Sequence, residues 1–188
     1  MTEREKIRLL QEMISQKRLK HSLAVRDVAV DLAKEYGADI KKARTAGLLH
    51  DSAKGISNDN LLQMAQEFGI VVDDVISTVP SLLHGPIGAK LVQKEFGIED
   101  KEILNAIKIH TLGAEEMTIL EKIIFIADYI EPNRTCAGLD ELRKKARVNL
   151  DSAIRIACDR TLKYHIRNED LIHPQTLATR NAFLRKDG

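Results

Sequence analysis

The stretch "GLLHDSAKG", residues 47–55, sets His50 and Asp51 at the end of an apolar run, with Lys54 just beyond them. An unpaired carboxylate in a protein interior costs on the order of several kcal/mol. Any fold that buries this run must therefore bring compensating groups to Asp51 from elsewhere in the chain. The segment "KIIFIADYIEP" poses the same problem, because Asp128 sits among Ile123, Ile124, Phe125, Ile126 and Ile130. A histidine and an aspartate adjacent on a helix diverge by about 100° around its axis, yet their tips can converge on an ion between those directions. A divalent ion with nitrogen and oxygen ligands needs about four to six donors, so other helices must contribute.

Apolar residues at helical spacing, 4 prolines and 10 glycines indicate an all-α fold, and strict alternation is nearly absent. Glu35-Tyr36-Gly37-Ala38, Glu67-Phe68-Gly69-Ile70 and Glu95-Phe96-Gly97-Ile98 read as three helix stops. In each, a left-handed glycine is followed by an apolar residue that folds back on the last turn. Ten helices are expected, near residues 3–17, 21–36, 39–53, 58–68, 86–96, 100–110, 116–130, 139–147, 150–167 and 175–186. Pro86 and Pro174 suit first-turn positions. "GIVVDDVI", residues 69–76, reads as a loop or short helix because of its two aspartates. At 188 residues, without low-complexity stretches or a visible linker, the chain is expected to form a single domain over residues 1–188: a bundle of about eight to ten helices around a metal centre.

Lysine plus arginine number 29 and aspartate plus glutamate 28, so a nucleic-acid partner held by bulk charge is not expected and an anion must be held locally. Cys136 and Cys158 show no metal-like or disulfide-dense spacing and read as ordinary thiols of a reducing compartment. The N-terminus is charged from its third residue, and no run approaches membrane-spanning length. A cytoplasmic protein without a membrane partner is the expectation.

Two candidates can complete the set around His50 and Asp51. His21 opens the second expected helix in "LKHSLAVRDVAVDLA", and Asp128 lies in its apolar segment. The ordered pattern His21, His50-Asp51, Asp128 on separate apolar helices resembles the HD-domain superfamily of metal-dependent phosphohydrolases. Two carboxylates and two neutral imidazoles offset a divalent cation while leaving positions for water and substrate. His84 in "SLLHGPIGAK" and His110 in "AIKIHTLG" can bind a second metal, contact a phosphate or donate a proton. Lys54 can neutralise a phosphate oxygen, or meet the helix C-terminal dipole before Gly55. Arg134 in "EPNRT" can face an anion bidentately, and Arg18 precedes His21 by one helical turn. His165 shows no relation to the pattern and reads as structural.

Within the superfamily, the chain is most similar to the YqeK-type symmetrical bis(5'-nucleosyl)-tetraphosphatases. The resemblance runs from Arg18 to Gln175 through "HSLAV", "AGLLHDSAKG", "LLHGPIGA", "IHTLG", "LEKIIFIADYIEPNR" and "EDLIHPQTLATRN". It implies hydrolysis of diadenosine tetraphosphate to two ADP and an iron cofactor, of one or two ions. The residues alone suit manganese, zinc, cobalt or nickel as well. It also implies His21, His50, Asp51 and Asp128 as metal ligands. Arg18, Lys54, His84, His110, Thr111, Arg134, Asp170, Leu171, Ile172, His173, Pro174 and Gln175 match positions around the nucleotide. Asp51, Lys54, His84 and His110 are the expected catalytic residues, and a dinucleoside polyphosphate or ADP-like nucleotide is the expected ligand. The family pattern is often more polar where this chain has Leu112 and Ala114, and usually larger where it has Ser52. Independently of the match, His173-Pro174 can open a helix whose free N–H groups face an anion while Ile172 and His173 pack on a base. Other HD phosphohydrolases, acting on deoxynucleoside phosphates or guanosine alarmones, and a non-catalytic nucleotide sensor are the competing readings. A homodimer is also admitted.

Overall fold

The computed structural model describes residues 1–186, which form eleven α-helices and one 3-10 turn, with no strand among them. In chain order they are α1 (Glu3–Met13), α2 (Gln16–Tyr36), α3 (Ile40–Leu49), α4 (Asn58–Glu67), α5 (Asp74–Thr78), the 3-10 turn Pro80–Leu83, α6 (His84–Phe96), α7 (Lys101–Ile109), α8 (Ile119–Ile130), α9 (Leu139–Val148), α10 (Leu150–Arg167) and α11 (Pro174–Lys186). The all-α expectation holds, and "GIVVDDVI" supplies the extra helix, α5. All three expected glycine stops are left-handed, with φ of 66° at Gly37 and 63° at Gly69 and Gly97. The following Ala38, Ile70 and Ile98 pack back onto the apolar clusters.

Two boundaries differ from the sequence reading in ways that matter. The first helix ends at Met13 because Ser15 turns extended and its hydroxyl accepts from the Arg18 N–H, which starts α2 at Gln16. His21 therefore lies inside a helix rather than at its opening. The third helix stops at Leu49, not near residue 53, and residues 50–55 run on as turns. That places Asp51 and Lys54 just past a helix end.

α8 is the centre of the bundle and packs against α2, α3, α7, α9 and α10. Its Ile123, Ile124, Ile126 and Ala127 are wholly buried, and each buried isoleucine contributes roughly 1.5–3 kcal/mol. Thr118 and Glu121 close a capping box that fixes where this helix begins. A smaller apolar cluster, with Leu61, Leu83, Ile87 and Leu91, joins α4, the 3-10 turn and α6 beside the main core. None of the described helices is long and apolar enough to cross a membrane.

Candidate metal and nucleotide site

Two close helix crossings assemble the site. α2 and α3 form a hairpin that crosses at Gly47, where an added Cβ would lie 2.9 Å from the Arg26 Cα. Only a glycine allows that approach, and it sets His21 beside His50, their Nε2 atoms 3.3 Å apart. The first turn of α6 crosses the end of α7 at Gly85, where a Cβ would lie 2.6 Å from the Lys108 carbonyl oxygen. This sets His84 beside His110, Nε2 to Nε2 3.1 Å. The imidazoles then run in file, His21–His50–His110–His84, with ring centroids 5.2, 5.0 and 4.9 Å apart.

Asp51 lies across this file. Its Oδ2 is 3.7 Å from the Nε2 atoms of both His21 and His50, and its Oδ1 is 3.4 Å from His84 Nε2 and 3.7 Å from His110 Nε2. Asp128 reaches in from α8, its Oδ1 3.0 Å from His21 Nε2 and 3.8 Å from His50 Nε2. One carboxylate thus faces two imidazole pairs, a geometry suited to one cation or to two that share Asp51.

The second nitrogen of each ring decides what the first can do. His50 Nδ1–H donates to the Gly47 carbonyl at 2.8 Å, His110 Nδ1–H to Ile107 at 2.7 Å, and His84 Nδ1–H to Ser81 at 2.5 Å. A carbonyl only accepts, so these rings carry their proton on Nδ1 and turn the Nε2 lone pair toward Asp51. Lone pairs facing one another at 3.1 Å repel unless a cation or proton lies between them. That donor set, four imidazole nitrogens and two carboxylates, fits a divalent metal.

Protonation states agree. Burial pushes His50 below its ordinary value. Burial, His110 and Lys54 together take His84 down to about 3. Both imidazoles are neutral at physiological pH. For His21 burial also opposes the charge, but the hydrogen bond and charge of Asp128, with Asp51 and Glu131, outweigh it and raise the pKa. Burial alone would push both aspartates up. The imidazoles around Asp51, and His21 with Arg134 beside Asp128, hold both carboxyls well below the usual range.

Three cations rim the cluster. Arg18 Nη1 is 3.2 Å from Asp51 Oδ2, and Arg134 Nη2 is 2.6 Å from Asp128 Oδ1. Lys54 brings its ammonium to His84, 3.4 Å from the Nε2 that carries the lone pair, and burial lowers its pKa. It leaves the helix axis instead of capping it. Thr111 Oγ1 lies 3.1 Å from His84 Nε2. Beyond Thr111 opens an apolar groove of about 740 Å³ whose walls include Phe68, Ile70, Leu82, Pro86 and Leu112, with Gln175 at one side.

The segment 170–175 is only partly drawn in. Gln175 lines the groove and Pro174 opens α11, but Asp170 pairs with His165 at 3.1 Å and Leu171 is exposed. Ile172 is half-buried. His173, expected against a base, instead bonds Asp73 at 2.8 Å and accepts the Gln175 N–H on its other nitrogen. Asp73 is a hundred positions away, and nothing in the sequence marks that pairing. Both cysteines are free, with Cys136 exposed and Cys158 buried.

Sequence reasoning also missed Glu131. It is buried at the end of α8, and its Oε1 accepts from His21 Nδ1–H at 3.2 Å while Oε2 accepts from the Asn133 N–H and amide at 2.7 and 2.8 Å. Its signal was available: it lies three residues after Asp128, on the same helical face.

Comparison with known proteins agrees with this geometry. An HD-domain family model matches residues 18–133. A relative from Halalkalibacterium halodurans, named bis(5'-nucleosyl)-tetraphosphatase, symmetrical, is 39% identical over 178 residues, 95% of each chain. One of the same name from Bacillus subtilis is 36% identical over 181 residues, 96% of this chain and 97% of that protein. A crystal structure from Clostridium acetobutylicum, described as a predicted HD superfamily hydrolase involved in NAD metabolism, is 42% identical and covers 99% of both chains with a TM-score of 0.95. The chain therefore belongs to the HD-domain family of hydrolases, among the relatives named symmetrical bis(5'-nucleosyl)-tetraphosphatases.

Proposed function

We propose that this protein hydrolyses diadenosine tetraphosphate symmetrically, to two ADP, with His21, His50, Asp51 and Asp128 holding a divalent metal. The observation that carries the reading is the file of four imidazoles facing Asp51, placed between a nucleoside-sized apolar groove and a rim of three cations. Its near full-length relatives carry the name of that activity.

Iron is the metal the family resemblance favours, and imidazole with carboxylate suits it. When bound, the cation supplies Lewis acidity and makes the hydrolytic water more acidic. The chain's own residues do the rest. Asp51 offers one oxygen to each imidazole pair and so ties the two ends of the reacting region together. Arg18, Lys54 and Arg134 spread the charge that builds on the phosphoryl oxygens in the transition state. The apolar groove takes one adenosine, and Thr111 stands where its phosphates enter. Binding one ADP unit from groove to metal sets the central bridge at the reacting position. Symmetric cleavage follows from that register.

His84 is a poor proton donor at neutral pH, given its pKa of about 3, and serves as a ligand or acceptor. The departing ADP needs little help, since its terminal phosphate is a stable anion with a second pKa of about 6. The balanced charge and the two free cysteines suit a cytoplasmic enzyme acting on a small nucleotide.

The test is a product assay on anaerobically purified, metal-loaded protein, with elemental analysis alongside. Two equal portions of ADP are expected, and Asp51→Ala should lose turnover and metal together. Normal turnover in that variant, or ADP binding without turnover in the wild type, would overturn the proposal.

A further inference from the structure

The substrate of the proposed reaction is symmetric, but the surfaces on the two sides of Asp51 are not. Its Oδ1 faces His84 and His110, and that side opens past Thr111 into the apolar groove. Its Oδ2 faces His21, and that side opens into a second cavity of about 380 Å³ walled by Lys17, Arg18, Lys20, His21, Asn133 and Arg134, with Glu131 beneath. The two cavities share no wall residue. The second contains no apolar side chain that could stack on a base.

Its charge is out of keeping with the rest of the molecule. The chain carries a net +1, yet four cations meet at this cleft. Lys17, Arg18 and Lys20 lie in the first turn and a half of α2, where the helix dipole disfavours positive charge. Neither lysine has a carboxylate within ion-pair distance among the described residues, although 28 acids are available in the chain. Arg18 and Arg134 already pair with Asp51 and Asp128, whereas Lys17 and Lys20, held against the dipole without an acidic partner among the described residues, are placed for an anion from outside.

We propose that the two halves of the dinucleotide are read by different chemistry: the groove recognises one nucleoside, while the cleft of Lys17, Arg18, Lys20, Asn133 and Arg134 recognises only the distal phosphates. This rests on the proposed tetraphosphate hydrolysis. The second nucleoside is then dispensable, and adenosine 5'-tetraphosphate is a substrate. Water adds across the anhydride between the second and third phosphorus atoms. Its hydroxyl joins one of them, the bridging oxygen leaves on the other, and its proton completes the products, ADP and pyrophosphate.

The experiment compares kcat/KM for diadenosine tetraphosphate and adenosine 5'-tetraphosphate with metal-loaded wild type. In parallel, binding of inorganic tripolyphosphate is titrated calorimetrically to wild type and to the K17A/K20A double variant, with thermal melts to show that both are folded. The two substrates should agree within about tenfold, and the double variant should bind tripolyphosphate about tenfold or more weaker, the equivalent of about 1.4 kcal/mol. A larger gap between substrates means the second nucleoside is read and overturns the proposal, as does unchanged tripolyphosphate binding. If wild type binds tripolyphosphate through the lysines but cleaves neither substrate, the proposed reaction fails and the phosphate cleft stands.

Discussion

Replacing Glu131 by glutamine tests the most specific consequence of the site's hydrogen bonding. Three donors converge on this buried carboxylate, His21 Nδ1–H on one oxygen and two groups of Asn133 on the other. Glutamine keeps the size but offers one acceptor and one donor. If its oxygen keeps Asn133, its amide faces His21 Nδ1 and favours the opposite tautomer, with the proton on Nε2. That removes the lone pair His21 turns toward Asp51 and Asp128. If the amide turns the other way, it meets the Asn133 donors and leaves them unsatisfied, at about 1–3 kcal/mol of stability. Outer partners of ligating histidines typically contribute about 10–100-fold in metal affinity, or about 1.4–2.7 kcal/mol. Glu131→Gln should therefore shift the chelator concentration that strips half the metal by at least tenfold. The circular dichroism melt should fall by only a few degrees, and activity should recover at saturating metal. A chelator midpoint within about twofold of wild type would refute the reasoning.

Other outcomes follow from the same geometry. Lys54→Ala should retain metal and fold yet lose roughly 10²–10³ in kcat, the usual cost of removing one preorganised charge donor; an unchanged rate would return this lysine to the helix-terminal role. Gly85→Ala places a Cβ 2.6 Å from a backbone carbonyl, so α6 must shift from α7 at about 1–3 kcal/mol; a lower melting temperature with reduced activity is expected, and an unaltered melt would show the crossing is not tight. Metal binding should depend on pH through His21, whose pKa is raised, while His50 and His84 are already neutral. Proton and cation compete for the same Nε2, so affinity falls as pH drops through the raised pKa, with proton release on binding that grows as pH is lowered toward it; titration in weak buffer without proton release there would contradict this.

What the sequence made legible was local or periodic. α8 announced itself by its isoleucines, and an acid embedded among them could only be a partnered one. The three glycine stops needed nothing beyond their own neighbours. The two misjudged boundaries have local causes of another kind. Ser15 caps α2 without an acid three residues later to advertise it, since Arg18 stands at that position. α3 ends without glycine or proline, because His50 itself satisfies the carbonyl of Gly47. Features made by distant segments were not legible: the groove between α6, α7 and the loop that follows α4, the His173–Asp73 pair, and the split of Asp51 between two imidazole pairs. Glu131 falls between these cases, since its spacing from Asp128 was visible but its purpose was not.

That purpose becomes clear when the four histidines are compared. His50 and His110 stand at helix C-caps, where the last carbonyls have no partner within the helix. Each donates Nδ1–H to the carbonyl three residues earlier, so a single hydrogen bond closes the helix and aims the ring. His84 does the same with Ser81 at the junction of the 3-10 turn and α6. His21 is different, because it lies within α2, where the carbonyls are already taken by the helix ladder. A ring there has no backbone acceptor and would be free to rotate or change tautomer. A side chain from elsewhere in the chain has to supply the acceptor, and among the described residues the carboxylate that meets its Nδ1 is Glu131. The buried acid thus follows from the position of His21 inside its helix. A metal-facing histidine placed inside a helix rather than at its end needs a second buried charge to hold its ring.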